Sequence, residues 1–260
     1  MTRSALERLR RRYNRREFVH PDPIEFLHAC DDPLDREVAG LIASCLAFGR
    51  VVQILRSVRL VLDRMRPSPR RYVLGRSERG MQRDFAGFRH RFASDADLLR
   101  LLVGMRRLLE THRSLEAAFS AGMTRRDATV RRAMEPFAAS LCPAADPLIP
   151  RPSAGSACKR LNLFLRWMVR RDEVDPGGWT RVSPRQLIVP LDTHMQRIAT
   201  ELGFTRRRTP DMAMALEITA AFRFFAPDDP VRYDFALTRF GIRSELRPES
   251  LGLILAGGRR

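Results

Sequence analysis

The sequence predicts an all-α fold. Apolar residues recur at the three- and four-residue spacing of helices along most of the 260-residue chain. The sequence has no alternating β-branched runs between tight-turn dipeptides, which are typical of strands. A hydrophobic content of 44% that includes 15 Phe is typical of a globular protein with a large core.

Seven segments carry the helical spacing, and in two places the spacing stops. The predicted helices cover residues 39–65, 95–109, 125–141, 156–170, 193–202, 210–225 and 230–240. The first of them has a joint at Gly49 and Arg50. The strongest interruption is residues 142–155, where four prolines stop any helix, and residues 172–186 form the second. We therefore expect one domain over residues 1–260, built of two helical lobes that meet near 142–155.

The chain is strongly basic, with a formal net charge of +17 and an isoelectric point near 11.3. This charge favours a polyanionic partner, nucleic acid first, although an arginine-rich proteome would give the same value. The arginine-dense stretch from Arg8 to Arg16 is interpreted as a solvated helix that adds non-specific affinity. The sequence has neither a secretory signal nor an apolar run of the roughly 18 residues that span a membrane. We expect a cytoplasmic monomer that does not bind membranes.

The four cysteines predict no metal site. Cys30, Cys45, Cys142 and Cys158 lack the CxxC spacing of structural zinc and iron–sulfur sites. They are interpreted as buried thiols, and no metal or other cofactor is expected.

Lys159 is the only lysine among the 47 Lys and Arg residues. Arginine matches lysine in charge and phosphate binding, but it does not lose its proton and so cannot act as an amine nucleophile. A single lysine is therefore a candidate for chemistry that needs a free amine, and chance survival is the alternative. The predicted helix puts Lys159 in its first turn, where the helix dipole favours the neutral amine and the preceding loop suits a phosphate.

Asp192 is the second candidate. It follows the apolar run Leu187–Leu191 and precedes a helix whose apolar residues recur on one face. Aspartate is among the best N-cap residues, so a plain cap is one interpretation. The other is a carboxylate that works together with Lys159.

Two segments together resemble the helix-hairpin-helix DNA glycosylase superfamily, which includes endonuclease III and archaeal-type 8-oxoguanine glycosylases. Gly155-Ser156-Ala157-Cys158-Lys159 resembles its hairpin, with Ala157 where a second glycine is usual, and Leu191-Asp192-Thr193-His194 resembles its Asp-Thr-His turn. Residues 37–44 and 233–241 resemble, more weakly, its early and closing helices. The whole chain also resembles an uncharacterised bacterial family placed in this superfamily.

The resemblance implies a two-lobed helix-hairpin-helix glycosylase-like fold, with the catalytic segment at 153–203. It implies a DNA glycosylase with AP-lyase activity that acts in base-excision repair on double-stranded DNA with a damaged base or an abasic site, near the nucleoid. Lys159 would form a Schiff base with the sugar, and Asp192 would be the catalytic carboxylate. 8-Oxoguanine is the first substrate to consider.

Further residues are assigned to the DNA interface or to the base pocket. Those expected to contact nucleic acid are Gly155, Ser156, Ala157, Arg160, Arg50 and Arg166, although Arg166 could instead pair with an acid. Those expected at the flipped base are Phe48, Trp179 and His194, with a structural hydrogen bond as the alternative for His194. Trp167 is interpreted as core.

Two other functions remain open. A nucleic-acid-binding protein could keep the fold without catalysis, in which case Lys159 is a phosphate contact. An enzyme that acts on RNA or on a free nucleoside would share much of the same sequence pattern.

Overall fold

The structure is a computed structural model that describes residues 2–124, 126–144, 146–242 and 246. These residues are mostly helical, which confirms the all-α prediction. The α-helices are α1 (Arg3–Tyr13), α2 (Pro33–Cys45), α3 (Val51–Arg64), α4 (Pro69–Gly75), α5 (Glu78–Asp84), α6 (Asp95–His112), α7 (Leu115–Ser120), α8 (Arg131–Leu141), α9 (Lys159–Val169), α10 (Thr193–Glu201), α11 (Met212–Phe225) and α12 (Asp234–Ile242). Short 3-10 helices cover Arg16–Phe18, Pro23–Ala29, Pro152–Ala154 and Pro184–Gln186.

The predicted joint in the first helix is present, since α2 and α3 are separated at residues 46–50. An antiparallel hairpin, β1 (Arg89–His90) with β2 (Ala93–Ser94), was not predicted, because strands of two residues are too short to show alternation. The hairpin packs on this joint. The His90 ring lies 2.9 Å from Ser57 Oγ and 3.0 Å from the Phe48 carbonyl oxygen. Gly49 has φ +99°, and a Cβ there would lie 2.7 Å from Arg91 Cδ, so the close approach requires glycine.

The N-terminal helix is not simply solvated, as its arginines had suggested. Helix α1 begins at Arg3, and Leu6, Leu9 and Tyr13 on its inner face are buried. This face packs against α12, while the arginines lie on the other side. The predicted helix is present and most of its arginines are exposed, but the prediction left out the apolar residues between them, which pack against the core.

One cluster of buried apolar side chains includes members from α1 through α12. Helix α9 lies within it and packs against α2, with Leu161, Phe164 and Leu165 buried as their spacing predicts. In the described residues of the proline-rich segment, 142–144 and 146–155, the only regular element is the 3-10 helix Pro152–Ala154. The segment contributes buried Leu148 and Ile149 to the same cluster. The division into two lobes there stays a prediction. No helix within the described ranges is both long and apolar enough to cross a membrane.

Gly104→Ala is expected to destabilise the fold. A Cβ at Gly104 in α6 would lie 1.8 Å from the Leu141 carbonyl oxygen at the end of α8. The backbone of the two helices would have to separate, and such overpacking costs about 1–3 kcal/mol. Urea unfolding measures the loss. Gly75→Ala in α4 is the matched control, since a Cβ there meets no described atom within 4 Å and alanine favours helix. Equal stability of the two variants would contradict the prediction.

Candidate active site

Lys159 is the first residue of α9 and so lies in its first turn, as the sequence predicts. The helix starts three residues later than the expected Ser156 because Cys158 takes a left-handed conformation, φ +51°, immediately before it. The segment that leads to it turns at the 3-10 helix Pro152–Ala154 and at Gly155, which is also left-handed. The Lys159 side chain is 35% exposed, so its amine is within reach of a ligand.

Asp192 is the N-cap of α10, as one interpretation predicts, and it also lies beside Lys159. Its Oδ1 accepts a hydrogen bond of 2.8 Å from the Met195 amide, which is the expected N-cap of α10. Its Oδ2 lies 3.6 Å from Lys159 Nζ, and the side chain is 17% exposed. Capping therefore fixes the carboxylate while one oxygen remains beside the amine. The structure brings together two residues that are 33 positions apart in the sequence.

Lys159 and Asp192 line a cavity of about 150 Å³. Its charged lining residues form three ion pairs: Lys159 with Asp192, Arg166 with Asp234, and Arg239 with Asp22. The remaining wall is formed by apolar side chains together with His194 and Thr238, and the apolar members are Pro21, Pro23, Ala47, Val51, Ile54, Leu163, Trp167 and Pro190. The cavity wall is thus partly apolar, and its charged side chains are paired with one another.

Arg166 is not available to a DNA phosphate, which corrects the prediction made from sequence. Its side chain is buried, and its guanidinium pairs with Asp234 and, at 3.1 Å, with Asp175. Arg170 pairs with Asp175 from the other side and lies 3.0 Å from Asp229. Burial raises the pKa of Asp234 to about 6, an effect that Arg166 opposes. Arg166 and Asp234 belong both to this ionic network and to the cavity wall, so the network holds part of the wall in place.

Trp179 is likewise wrong as a stacking candidate. Its ring is buried beside Phe119 and Phe164, and it is not part of the cavity wall. Its Nε1 donates a hydrogen bond of 3.0 Å to Glu37 Oε2. The other Glu37 oxygen accepts from the Leu115 amide, so this buried carboxylate joins α2, α7 and the 172–186 segment. Trp179 is therefore part of the core and not of the base pocket that the sequence predicted for it.

The other predicted contact residues fall into two groups. Gly155 and Arg50 are exposed, and a Cβ on Gly155 would meet none of the described atoms within 4 Å, so a ligand can approach this turn closely. Ser156 is half-buried, and its Oγ accepts from the Cys158 amide. Ala157 is buried, so only its backbone is suited to a phosphate. Arg160 is corrected too, because its Nη1 donates to the Cys45 and Pro147 carbonyls inside the protein.

Phe48 lies beside the cavity, although it is not part of the wall. Its chain neighbours Ala47 and Gly49 line the cavity, while its own ring lies in an aromatic stack. Phe92, at the end of the β1–β2 turn, stacks on Phe48 with ring centroids 4.8 Å apart. The Arg160 guanidinium also lies over Phe48, 5.0 Å from the ring centroid. Phe92 is 62% exposed, so this stack ends in an exposed aromatic surface.

Part of the cavity wall was not predicted from the sequence. Leu163 follows Lys159 at helical spacing, and this signal could have identified it as the same face of α9. Asp234 and Thr238 are similarly spaced on α12, within the segment that resembles a closing helix. Asp22 had no usable signal, because it reaches the site through the tertiary packing of an irregular N-terminal segment.

A family model matches the chain, and the family that it describes has no assigned function. A model of the family described as "Protein of unknown function (DUF2400)" matches residues 22–243, which include Lys159, Asp192 and every residue of the cavity wall except Pro21. No curated protein and no solved structure matches the chain. Because the match covers most of the sequence, the chain belongs to the DUF2400 family.

Proposed function

We propose that this protein is a DNA glycosylase with AP-lyase activity that uses Lys159 as a Schiff-base nucleophile. The observation that carries the proposal is the 3.6 Å separation of Lys159 Nζ and Asp192 Oδ2 at the edge of a chamber. An amine, a carboxylate and an adjoining cavity are what removal of a flipped base through a Schiff base requires. The two residues are also those that the resemblance to helix-hairpin-helix glycosylases assigns to catalysis.

The chemistry begins at C1′ of the flipped nucleotide. The neutral Lys159 amine attacks C1′ while the C1′–N bond to the base breaks, and the base leaves with the bonding electrons and takes up a proton. The C1′–O4′ bond then opens, and a proton moves from the Lys159 nitrogen to O4′. The product is an iminium between Lys159 and C1′ of the opened sugar. Loss of a proton from C2′ expels the 3′ phosphate and nicks the strand. Water finally hydrolyses the imine and restores the lysine.

Asp192 has two tasks in this sequence. Its carboxylate faces the position where positive charge develops on the sugar, and a fixed negative charge there stabilises the transition state. Its Oδ2 lies 3.6 Å from Lys159 Nζ and can accept the proton that Lys159 loses before attack. Because its Oδ1 is held by the Met195 amide, Oδ2 stays in place for both tasks.

The surface around the cavity suits a nucleic-acid backbone. Arg50 and the turn at Gly155 are exposed, and each is close in sequence to a residue of the cavity wall, Gly49 and Lys159 respectively. The whole chain carries a net charge of +17. Phe92 offers an exposed ring that can stack on a base, as aromatic side chains do in nucleic-acid sites. Phe92 then fills the gap in the base stack that base flipping leaves open.

Borohydride trapping tests the proposal. The protein is incubated with duplexes that carry 8-oxoguanine, uracil or an abasic site, or none of these, and borohydride then reduces any imine to a stable adduct. We expect an adduct with the abasic duplex and with at least one damaged duplex, and none with intact DNA. Gel shifts on the same samples report binding.

The same experiment separates the proposal from its main rival. A nucleic-acid-binding protein that lacks catalysis would shift the duplexes without any adduct, and that result would overturn the lyase mechanism. Matched titrations with structured RNA at the same salt concentration would reveal a preference for RNA.

A further inference from the structure

Two buried side chains in the cavity wall have donors without acceptors. Trp167 is 0% exposed, and no described residue accepts a hydrogen bond from its Nε1. Arg239 is 1% exposed, and its Nη2 donates to Asp22 at 2.7 Å, whereas its Nε and Nη1 have no acceptor among the described residues. A buried donor without an acceptor is costly, so such groups in a cavity wall indicate a ligand that accepts from them.

The charge of the cavity restricts this ligand. Its three cationic side chains are each paired with one of three carboxylates, so the cavity has no excess of either charge. An anion such as phosphate would meet the carboxylates of Asp22, Asp192 and Asp234, and a cation would face the unpaired donors. A neutral group with exposed lone pairs fits both conditions.

The side chains also differ in depth. Lys159 and Asp192 are 35% and 17% exposed, whereas Trp167 and Arg239 are almost completely buried. The reacting pair therefore lies toward the opening, and the unpaired donors lie toward the inside. A cavity of about 150 Å³ suits a planar ring, since an engineered apolar cavity of roughly that volume binds benzene. A base whose sugar stays at the opening would turn its far edge to Trp167 and Arg239.

We infer that the cavity selects bases with a ring carbonyl, such as uracil, hypoxanthine or an oxidised guanine, over bases with an exocyclic amino group in that position. A carbonyl oxygen accepts from Trp167 and Arg239, while an amino group would bring a donor against donors. This inference rests on the proposed function for the idea that the ligand is a base. It names the substrate class, and it makes Trp167 and Arg239 the specificity-determining residues.

The test follows the indole N–H signals in a proton–nitrogen correlation spectrum of the ¹⁵N-labelled protein. The chain has two tryptophans, and Trp179 already donates to Glu37, so its signal is an internal control. Trp167→Phe removes one signal and so assigns the other. Free uracil is compared with cytosine, and free hypoxanthine with adenine. We expect the Trp167 signal to move downfield with uracil and hypoxanthine, with affinities about tenfold or more above those of their amino counterparts.

Two results would overturn the inference. Either equal shifts with the amino bases, or no movement of the Trp167 signal with any base, would show that these donors do not select carbonyls. The titration needs no bond cleavage, so its outcome is independent of adduct formation. An adduct without a Trp167 shift would leave the lyase proposal standing and remove only the inference about substrate class.

Discussion

Lys159→Arg is expected to abolish the borohydride adduct and strand nicking while DNA binding is retained. Arginine keeps the positive charge beside Asp192, so contacts that depend only on charge survive. It offers no neutral amine, and loss of a covalent nucleophile lowers the rate by roughly a thousandfold or more. Adduct yield on an abasic duplex, measured beside a gel shift, separates the two effects. An unchanged adduct yield would exclude Lys159 as the nucleophile.

The arginine-rich chain provides a matched control for this variant. Because Lys159 is the only lysine, Lys159→Arg removes every side-chain amine from the protein. Adding Arg50→Lys to that variant restores one lysine at an exposed position near the cavity. If position and the adjoining carboxylate matter, this double variant stays inactive. Recovery of the adduct would mean that any amine near the DNA suffices, and that Asp192 has no special part.

The sequence predicted correctly those features that depend on residues close together in the chain. The spacing of apolar residues located α9 and α10, and the residue types at their starts identified Lys159 and Asp192 as candidates. That the two side chains lie in one cavity followed only from the resemblance to a family. Local patterns cannot report distance between elements, and here the structure supplies the 3.6 Å separation.

The errors have a common physical cause. Arg166 and Trp179 were assigned to DNA and to a base because their types are common in such interfaces. Their partners, Asp175 for Arg166 and Glu37 for Trp179, are buried acids that only the fold brings near. Whether a polar side chain faces a ligand or an internal partner depends on this tertiary pairing, which a single sequence does not contain.

Asp175→Asn is expected to cause the largest loss of stability among single substitutions near the site. Asp175 is completely buried and joins two buried arginines, Arg166 and Arg170. The change leaves the arginines with one carboxylate fewer in a region that excludes water. Breaking a buried ion pair from one side costs about 3–5 kcal/mol. Urea unfolding, followed by circular dichroism, measures the loss in free energy of unfolding.

Asp63→Asn is the matched control, because Asp63 pairs with Arg66 on an exposed surface and such pairs contribute under about 1 kcal/mol. Equal losses in the two variants would contradict a supporting role for the network. The consequence extends to the cavity, since Arg166 holds Asp234 in its wall. If Asp175→Asn still folds at low temperature, we expect weaker adduct formation than in Asp63→Asn, because Arg166 and Asp234, two residues of the cavity wall, have lost part of their support.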